Sequence, residues 1–461
     1  MLGWAYRGIE RWATASAGRM AWIADRIPLG YMRRSSEAKL VRTLRRVWDR
    51  SPAQRERWAR AGVRRRDLNS SEVLTRIPFT TGADLAGRPA DFFCVPEVEL
   101  IHAMRTSGTR GTVKQAYLTA DDLIRQVRMG GANLLRFRGV TRAAAAFNAE
   151  VPTWGAGMVA RRSIEEAGFY GLLSPTRLDV REQIRLLAEH RIQLLMSQPG
   201  YVHRMTLEAP EELKALGLRY ILLGGQAWTE EFRGAIESVS GARVLDLYGL
   251  TECASGVASE CVERRGLHVG ETAHWAEVVD PATGAPLAEG REGELVLTTL
   301  ARRGMPLVRY RTGDFATLLP RAERCPCGLP MRRISRVRGR VDDMLIIGGD
   351  ANIWPDEFDR ALLSLPGVTD YQVVVEKDRA LDVLNVAVEC PENGPALREA
   401  VIRALLTIPY LKIPVEMTKI VAFGRIEAVP RGTLSAGRAK TARIVDRRPA
   451  ELSGPGPSRP R

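Results

Sequence analysis

A large N-terminal α/β domain with mostly parallel sheets, followed by a small α+β domain, is the architecture this 461-residue chain predicts. Three observations carry it. From about residue 100 to 300, short β-branched runs alternate with helical segments, the pattern of parallel βαβ units. Beyond 340 the pattern changes to three strand-like runs and two helices, a compact unit of its own. With 45% hydrophobic and 26% charged residues, the chain can bury one large core and one smaller one. The expected boundaries are 1–341, 342–448 and a tail at 449–461.

The elements follow in order. Residues 1–75 read as helical and basic. In the opening stretch "MLGWAYRGIERWATASAGRMAWIADRIPLG", Arg7, Glu10, Arg11 and Arg19 interrupt every candidate signal-peptide core. It reads as a helix of the mature fold; an organelle transit peptide is the alternative, disfavoured by Glu10 and Asp25. "QIRLLAEHRIQLLMSQPGYVHRM" is helix, buried strand, helix. "RYILLGGQAWTEEFRGAIESV" is strand, glycine turn, helix, and "ARVLDLYGLTECASGV" is a strand running into a polar loop. "GELVLTTLARRGMPLVRYRTGDFATLL" suggests two antiparallel strands, and "RGRVDDMLIIGG" a charged turn before a short strand. "TDYQVVVEK", "DVLNVAVEC" and "EMTKIVAF" are strands, with helices at 355–364 and 395–406. The final "PAELSGPGPSRPR" cannot pack a core and is expected to be disordered.

Net charge is +14, which suits nucleic acid or a membrane surface. The basic residues are overwhelmingly arginine and are spread along the chain, so a compositional habit explains the charge better than a binding stripe. Lysines are few, and one inside a motif stands out for its own chemistry. No run of 18 uncharged apolar residues is present, so no transmembrane helix is expected. The reading is a cytoplasmic protein without nucleic-acid or membrane partners. Disulfides are then a poor expectation for Cys94, Cys253, Cys261, Cys325, Cys327 and Cys390.

Three loops follow apolar strands, so they can converge on one crevice at the strands' carboxyl ends. In "TSGTRGTVKQAYLT" (106–119), glycine-turn amides and Ser and Thr hydroxyls cradle phosphate oxygens, or the stretch is a solvated turn. It is not a Walker A loop, which needs G-x-x-x-x-G-K-[ST]. "YGLTEC" (248–253) offers a ring to stack and a carboxylate for Mg²⁺, or is a strand-to-helix turn with Thr251 as N-cap. In "YRTGDF" (310–315), Asp314 accepts from a ribose diol or serves a β-turn. Together they favour a nucleotide.

In this order, "TSGTRGT", "GGQAW", "YGLTE", "YRTGD", "GRVDD" and a late lysine resemble the adenylate-forming superfamily. Within it, "GGQAWTEEFR", "ECVERRGLH", "GELVLTTLARRGMPLVRYRTGD", "CPCGLPMRRISRVRGRVDDMLIIGGDANIWPDEFD" and "AKTARIVDRR" resemble the phenylacetate–CoA ligase family, from about residue 70 to 448. The resemblance implies the adenylate-forming fold with a mobile C-terminal domain. It also implies an AMP-forming acid–CoA ligase: a carboxylic acid, expected to be aromatic but not phenylacetate itself, reacts with ATP to give an acyl-adenylate and pyrophosphate, and the acyl group is then passed to CoA. Thr106, Ser107, Gly108, Thr109 and Gly111 would hold the β- and γ-phosphates. The family usually has a lysine directly after the second glycine; here that position is Thr112, with Lys114 two residues on as its candidate replacement. Gly224, Gly225 and Gln226 would lie along adenine, and Tyr248, beside Gly249, would pack on it. Thr251 would touch the α-phosphate, Glu252 bind Mg²⁺, Asp314 grip the ribose, and Arg340 contact ribose or phosphate. Lys440 would be the catalytic lysine, although the residue before it is Ala439 where the family has glycine. Asp342 would be the hinge.

Cys261 and His268 with Cys325 and Cys327 make a Cys₃His set suited to structural zinc, against the alternative of core thiols; Cys253 is a fifth candidate. The acid pocket is expected from 147–158, 197–203 and the glycines at 224–225, with Trp154 and Tyr201 forming a flat aryl slot. Glu150 is either its polar handle or solvent-facing. The expected partners are the acid and CoA, and relatives are commonly homodimers. Two alternatives keep the same motifs: an adenylating enzyme that delivers to an amine or a carrier-protein thiol, and an inactive nucleotide-binding homologue.

Overall fold

The computed structural model describes residues 12–448 apart from 106–113, 148–154, 176–177, 227, 301, 340–344, 348–350, 379–380, 392–394, 418 and 435–442. The chain opens with helices α1 (Ala17–Ala24), α2 (Leu29–Arg50) and α3 (Pro52–Arg60). Ser16 caps α1 and Ser51 caps α3 by accepting from the amide three residues on. The buried face of α2 carries Ser36, Lys39 and Thr43 among its apolar residues. They donate to the carbonyls of Glu271, Thr272 and Leu300 at 2.9, 3.2 and 2.7 Å. Those bonds satisfy loop carbonyls the helix would otherwise seal from water. The N-terminal helices are thus built into the large domain.

A short hairpin, β1 (His102–Arg105) and β2 (Gln115–Leu118), brackets the glycine-rich loop. After α4 (Ala120–Leu134), the alternation read from sequence is realised. It runs β3 (Arg142–Ala146), α5 (Ala156–Glu166), β4 (Tyr170–Ser174), α6 (Val180–Glu189) and β5 (Leu194–Ser197). Then follow α7 (Pro199–Glu208), α8 (Pro210–Ala215), β6 (Tyr220–Gly224), α9 (Glu230–Ser240) and β7 (Arg243–Leu250). In space the parallel strands lie β7-β6-β5-β3-β4. Strand β5 is buried along its whole length, as a strand covered by helices on both faces should be. One face packs Ala144, Ile184, Leu195, Ile221 and Val244; the other packs Phe137, Ala145, Ile164, Met196 and Leu222.

Past β7 the chain departs from the expected polar loop. A 3₁₀ turn at Thr251–Cys253, left through Ala254 at φ 62°, returns it as β8 (Ser255–Glu260), antiparallel to β7. Strand β9 (Leu267–Val269) follows, and a late β13 (Arg333–Ile334) completes an eight-stranded sheet. The tight reversal explains why Thr251 is no N-cap: Leu250 holds that position. Between β9 and β13 lies the antiparallel sheet β10 (His274–Val279), β11 (Glu292–Thr299) and β12 (Tyr310–Thr317). Two of its strands were expected, and β10 is the addition.

The last unit carries hairpin β14 (Leu345–Ile347) and β15 (Ala351–Ile353), helix α10 (Pro355–Leu362), and strands β16 (Asp370–Asp378) and β17 (Leu381–Glu389). Helix α11 (Pro395–Leu405), β18 (Val421–Val429) and β19 (Ile444–Asp446) complete it. Its sheet runs β18-β17-β16-β19, so the three expected strands gain a fourth, and "EMTKIVAF" forms its strand later than expected. Phe358, Tyr371, Val386 and Val401 centre a core separate from those of the large domain. No helix among the described residues is long and apolar enough to cross a membrane.

Candidate active site

Two strands from different sheets build the centre of the site. Strand β12 alternates, so Tyr310, Thr312 and Asp314 share its buried face. Opposite them, β7 and the 3₁₀ turn present Tyr248 and Glu252. The pairing is reversed, first residue to last. The Tyr248 hydroxyl donates to Asp314 Oδ2 at 2.6 Å, and the Tyr310 hydroxyl donates to Glu252 Oε1 at 2.7 Å. Asp314 is positioned further by its own amide, which donates to Thr312 Oγ1 at 3.0 Å. Burial and the neighbouring Asp314 charge push the Tyr248 hydroxyl well above its usual range, so it remains a donor.

Lys114 enters from the foot of β2. Its Nζ lies 2.6 Å from Glu252 Oε1 and donates to the Tyr310 hydroxyl at 3.1 Å. Gly82 makes room for it: a Cβ there would come within 3.2 Å of the lysine's own carbons. Burial pushes Glu252 up, but the charge and hydrogen bond of Lys114 outweigh it and hold the carboxyl below its usual range. Arg302, itself buried, donates to the Glu252 carbonyl at 2.5 Å and fixes the turn. Cys253, next along, is buried with its thiol pushed up to about 12, and is inert.

The glycine turn after β6 sits on the same rim. A Cβ at Gly224 would meet the Leu247 carbonyl at 2.7 Å, and Gly225 has φ 87°, so both positions need glycine. Gln226 Oε1 is buried there without a hydrogen-bond partner among the described residues. Thus the structure brings together Lys114, Gly224, Gly225, Gln226, Tyr248, Gly249, Thr251, Glu252 and Asp314 around the carboxyl ends of β6 and β7. Tyr201 is seated elsewhere: it packs in the core with Val180 and Ile184, its hydroxyl donating to the Leu178 carbonyl at 3.3 Å. Thr106, Ser107, Gly108, Thr109, Gly111, Glu150, Trp154, Arg340, Asp342 and Lys440 lie outside the described residues. Tyr310 and Arg302 were missed. The signal for Tyr310 was available, because a residue four before Asp314 on one strand shares its face.

The Cys₃His set also assembles. The ligand atoms of Cys261, His268, Cys325 and Cys327 all lie within 4.8 Å of one another. Cys261 Sγ and Cys325 Sγ are 3.5 Å apart, and Cys327 Sγ is 3.3 Å from His268 Nε2. Tetrahedral zinc with Zn–S bonds of about 2.3 Å places its ligand atoms roughly 3.5–3.8 Å apart, so the donor set fits the ion in kind and spacing. Hydrogen bonds from Cys327 and His268 pull the Cys261 thiol down, toward the thiolate a metal needs, while the same contacts and burial push Cys327 and Cys325 up, so without an ion one sulfur of the three holds the charge. Cys94 and Cys390 lie apart from this set, buried and in no disulfide, as expected of core thiols, and Cys253 is not in the group.

Comparison with known proteins agrees with this geometry. The chain matches the AMP-binding enzyme family model over residues 29–300 and the AMP-binding enzyme C-terminal domain model over residues 350–448. It is 35% identical to the phenylacetate-coenzyme A ligase of Thermus thermophilus over 393 residues, 81% of this chain and 84% of that protein. It is 30% identical to that of Pseudomonas putida, over 90% of this chain and 94% of that one. Its fold resembles 2-hydroxyisobutyryl-CoA ligase in complex with 2-HIB-AMP, at TM-score 0.75 and 21% identity, over 89% of this chain and 88% of that one.

Proposed function

The chain belongs to the AMP-binding enzyme family, among relatives of phenylacetate–CoA ligase, and from that premise we propose how its residues divide the work. It is an AMP-forming acid–CoA ligase. A carboxylate oxygen attacks the α-phosphorus of ATP, the bond to the bridging oxygen breaks, and pyrophosphate leaves. The CoA sulfur, losing its proton, then attacks the acyl carbon, and AMP leaves. Both steps depend on positioning and on neutralising phosphate charge.

The observation that carries the assignment is the doubled contact of β7 and its 3₁₀ turn with β12, Tyr248 on Asp314 and Glu252 on Tyr310. Asp314 would accept from the ribose hydroxyls, Tyr248 pack on adenine, and the orphan Gln226 Oε1 accept from the adenine amino group. The loop 106–111 would wrap the outer phosphates beside Lys114. Glu252, a buried carboxylate with a hard oxygen, fits Mg²⁺, which supplies charge neutralisation on the phosphates when bound. Lys440 would bring its ammonium to the α-phosphate, on a C-terminal domain that begins near Asp342 and turns between the two steps. The preferred acid is aromatic. Zinc held by Cys261, His268, Cys325 and Cys327 would be closed by four protein ligands and therefore structural.

The test is purified protein with Mg·ATP and a panel of benzoates and arylacetates. Pyrophosphate release without CoA is expected, then thioester absorbance and AMP once CoA is added. If no acid releases pyrophosphate, the proposal fails and the inactive binder remains. Pyrophosphate without thioester would point to an amine or carrier-protein acceptor.

A further inference from the structure

Gln198 follows β5 directly, at the carboxyl edge of the parallel sheet. It is 7% exposed, and its Nε2 has no hydrogen-bond partner among the described residues. The local fold does not account for it. Gln198 occupies the N-cap position of α7, yet its side chain makes no capping bond. Short residues such as Ser, Thr, Asp or Asn serve that position; glutamine does not. A buried amide without a partner is costly, and such groups persist where a ligand completes them.

Strand geometry says where the amide points. Leu194 and Met196 face the core containing Phe147, while Leu195 faces the opposite core. Gln198 has extended backbone, φ −82° and ψ 144°, so the alternation continues and it shares the face of Met196. Ser197 is level with Ala146 on β3 and Leu223 on β6. The next residues, Phe147, Gln198 and Gly224, therefore form one row across three strands: a ring, an amide and no side chain. That row lies at the carboxyl edge of the sheet, the edge at which parallel sheets bind ligands.

We propose that Gln198 reads the acid. Its Nε2 donates a hydrogen bond to the oxygen of a hydroxyl on the substrate's ring, so the substrate class is ring-hydroxylated aromatic acids. The proposal rests on the adenylation reading above. An acid without the hydroxyl leaves the buried amide unpaired, which is the condition for strong rejection of the deoxy analogue.

The experiment measures pyrophosphate release without CoA, which isolates acid recognition from the thiol step. Each hydroxybenzoate or hydroxyphenylacetate is paired with its unsubstituted and methyl analogues. The best hydroxylated acid is expected to exceed its unsubstituted partner in kcat/KM by roughly tenfold or more. Gln198→Leu, of similar volume, should lower the hydroxylated acid by that factor while the unsubstituted acid holds or improves. Equal rates for the paired acids overturn the proposal, as does a folded variant that slows both alike. A variant altered only in its KM for CoA overturns it too, since the amide would then face the thiol arm. If Gln198→Leu does not fold, the paired acids on the native protein decide. If no acid is adenylated, the adenylation reading beneath falls with it; turnover without hydroxyl preference sinks the Gln198 assignment alone.

Discussion

Lys114, Glu252 and Tyr310 each rely on the other two for a partner. Tyr310→Phe keeps the ring in its buried slot and removes the hydroxyl that bridges carboxylate and ammonium. We expect adenylation to slow by roughly tenfold, the scale of one hydrogen bond to a charged group, with the melting temperature nearly unchanged; pyrophosphate release and a thermal melt check it. Two other residues set opposite responses to acid. Burial, aided by the Arg302 charge, lowers His274 to about 3, from an ordinary 6.5. The unfolded chain binds that proton first, so the stability from neutral His274 is present above 6.5 and is lost as pH falls toward 3. Burial raises Asp246 to about 6 against 3.8, so its penalty is present above 6 and is relieved as pH falls from 6 to 3.8. His274 has the wider window and should dominate. Melts at pH 7 and pH 5 should show a smaller acid loss for His274→Gln than for the native protein; equal losses would assign the acid response elsewhere.

At the scale of elements, the parallel strands were legible because helix-covered strands are continuous apolar runs bounded by glycine turns, as in "RYILLGG". The return strand β8 was not, because its alternation is masked by small and polar residues, Ser255-Gly256-Val257-Ala258-Ser259. β19 is three residues long, too short for any periodic signal. The contact between β7 and β12 was hidden for a different reason: its partners lie about sixty residues apart in sequence, and only folding brings the reversed pairing together. The Cys₃His set was legible by residue type, and its spatial assembly came from β9 beside the 325–327 turn. One zinc per chain is expected by elemental analysis. Cys325→Ser or a strong chelator should lower the melting temperature by several degrees, since a structural metal contributes several kcal/mol and 1 kcal/mol moves a domain of about 340 residues by roughly 1–2 °C. An unchanged melt and no bound metal would leave three packed thiols beside His268.

For the whole molecule, the proposed chemistry requires two units to meet over one nucleotide. Arg443 holds the C-terminal unit's side of that arrangement: its guanidinium reaches Asp359 at 2.7 Å and Asp370 at 3.2 Å and lies over the Tyr371 ring. The chain leading from Lys440 is thus clamped three residues later. The units touch at several points, among them Arg431 with Glu208 at 3.3 Å, Arg338 with Asp356 at 3.5 Å and the Phe315 ring against Trp354; the two ion pairs are partly exposed and weak enough to be broken and remade. If the C-terminal unit turns between the two steps, Lys440→Ala should slow pyrophosphate release by 100-fold or more, on the order of one lost electrostatic stabiliser. Thioester formation from synthetic acyl-adenylate and CoA should survive; parallel loss of both steps would reject a lysine that serves only the first. The four zinc-type residues carry one more implication. Cys261 and His268 precede β10, and Cys325 and Cys327 follow β12, so the two halves of the set bracket the entire antiparallel sheet in sequence. An ion bound there would make that sheet a closed ring of chain, with Asp314 and Tyr310 inside it. Deuterium uptake along Tyr310–Thr317 would then be slow in the metal-loaded protein and would quicken on chelation before the parallel strands lose their protection.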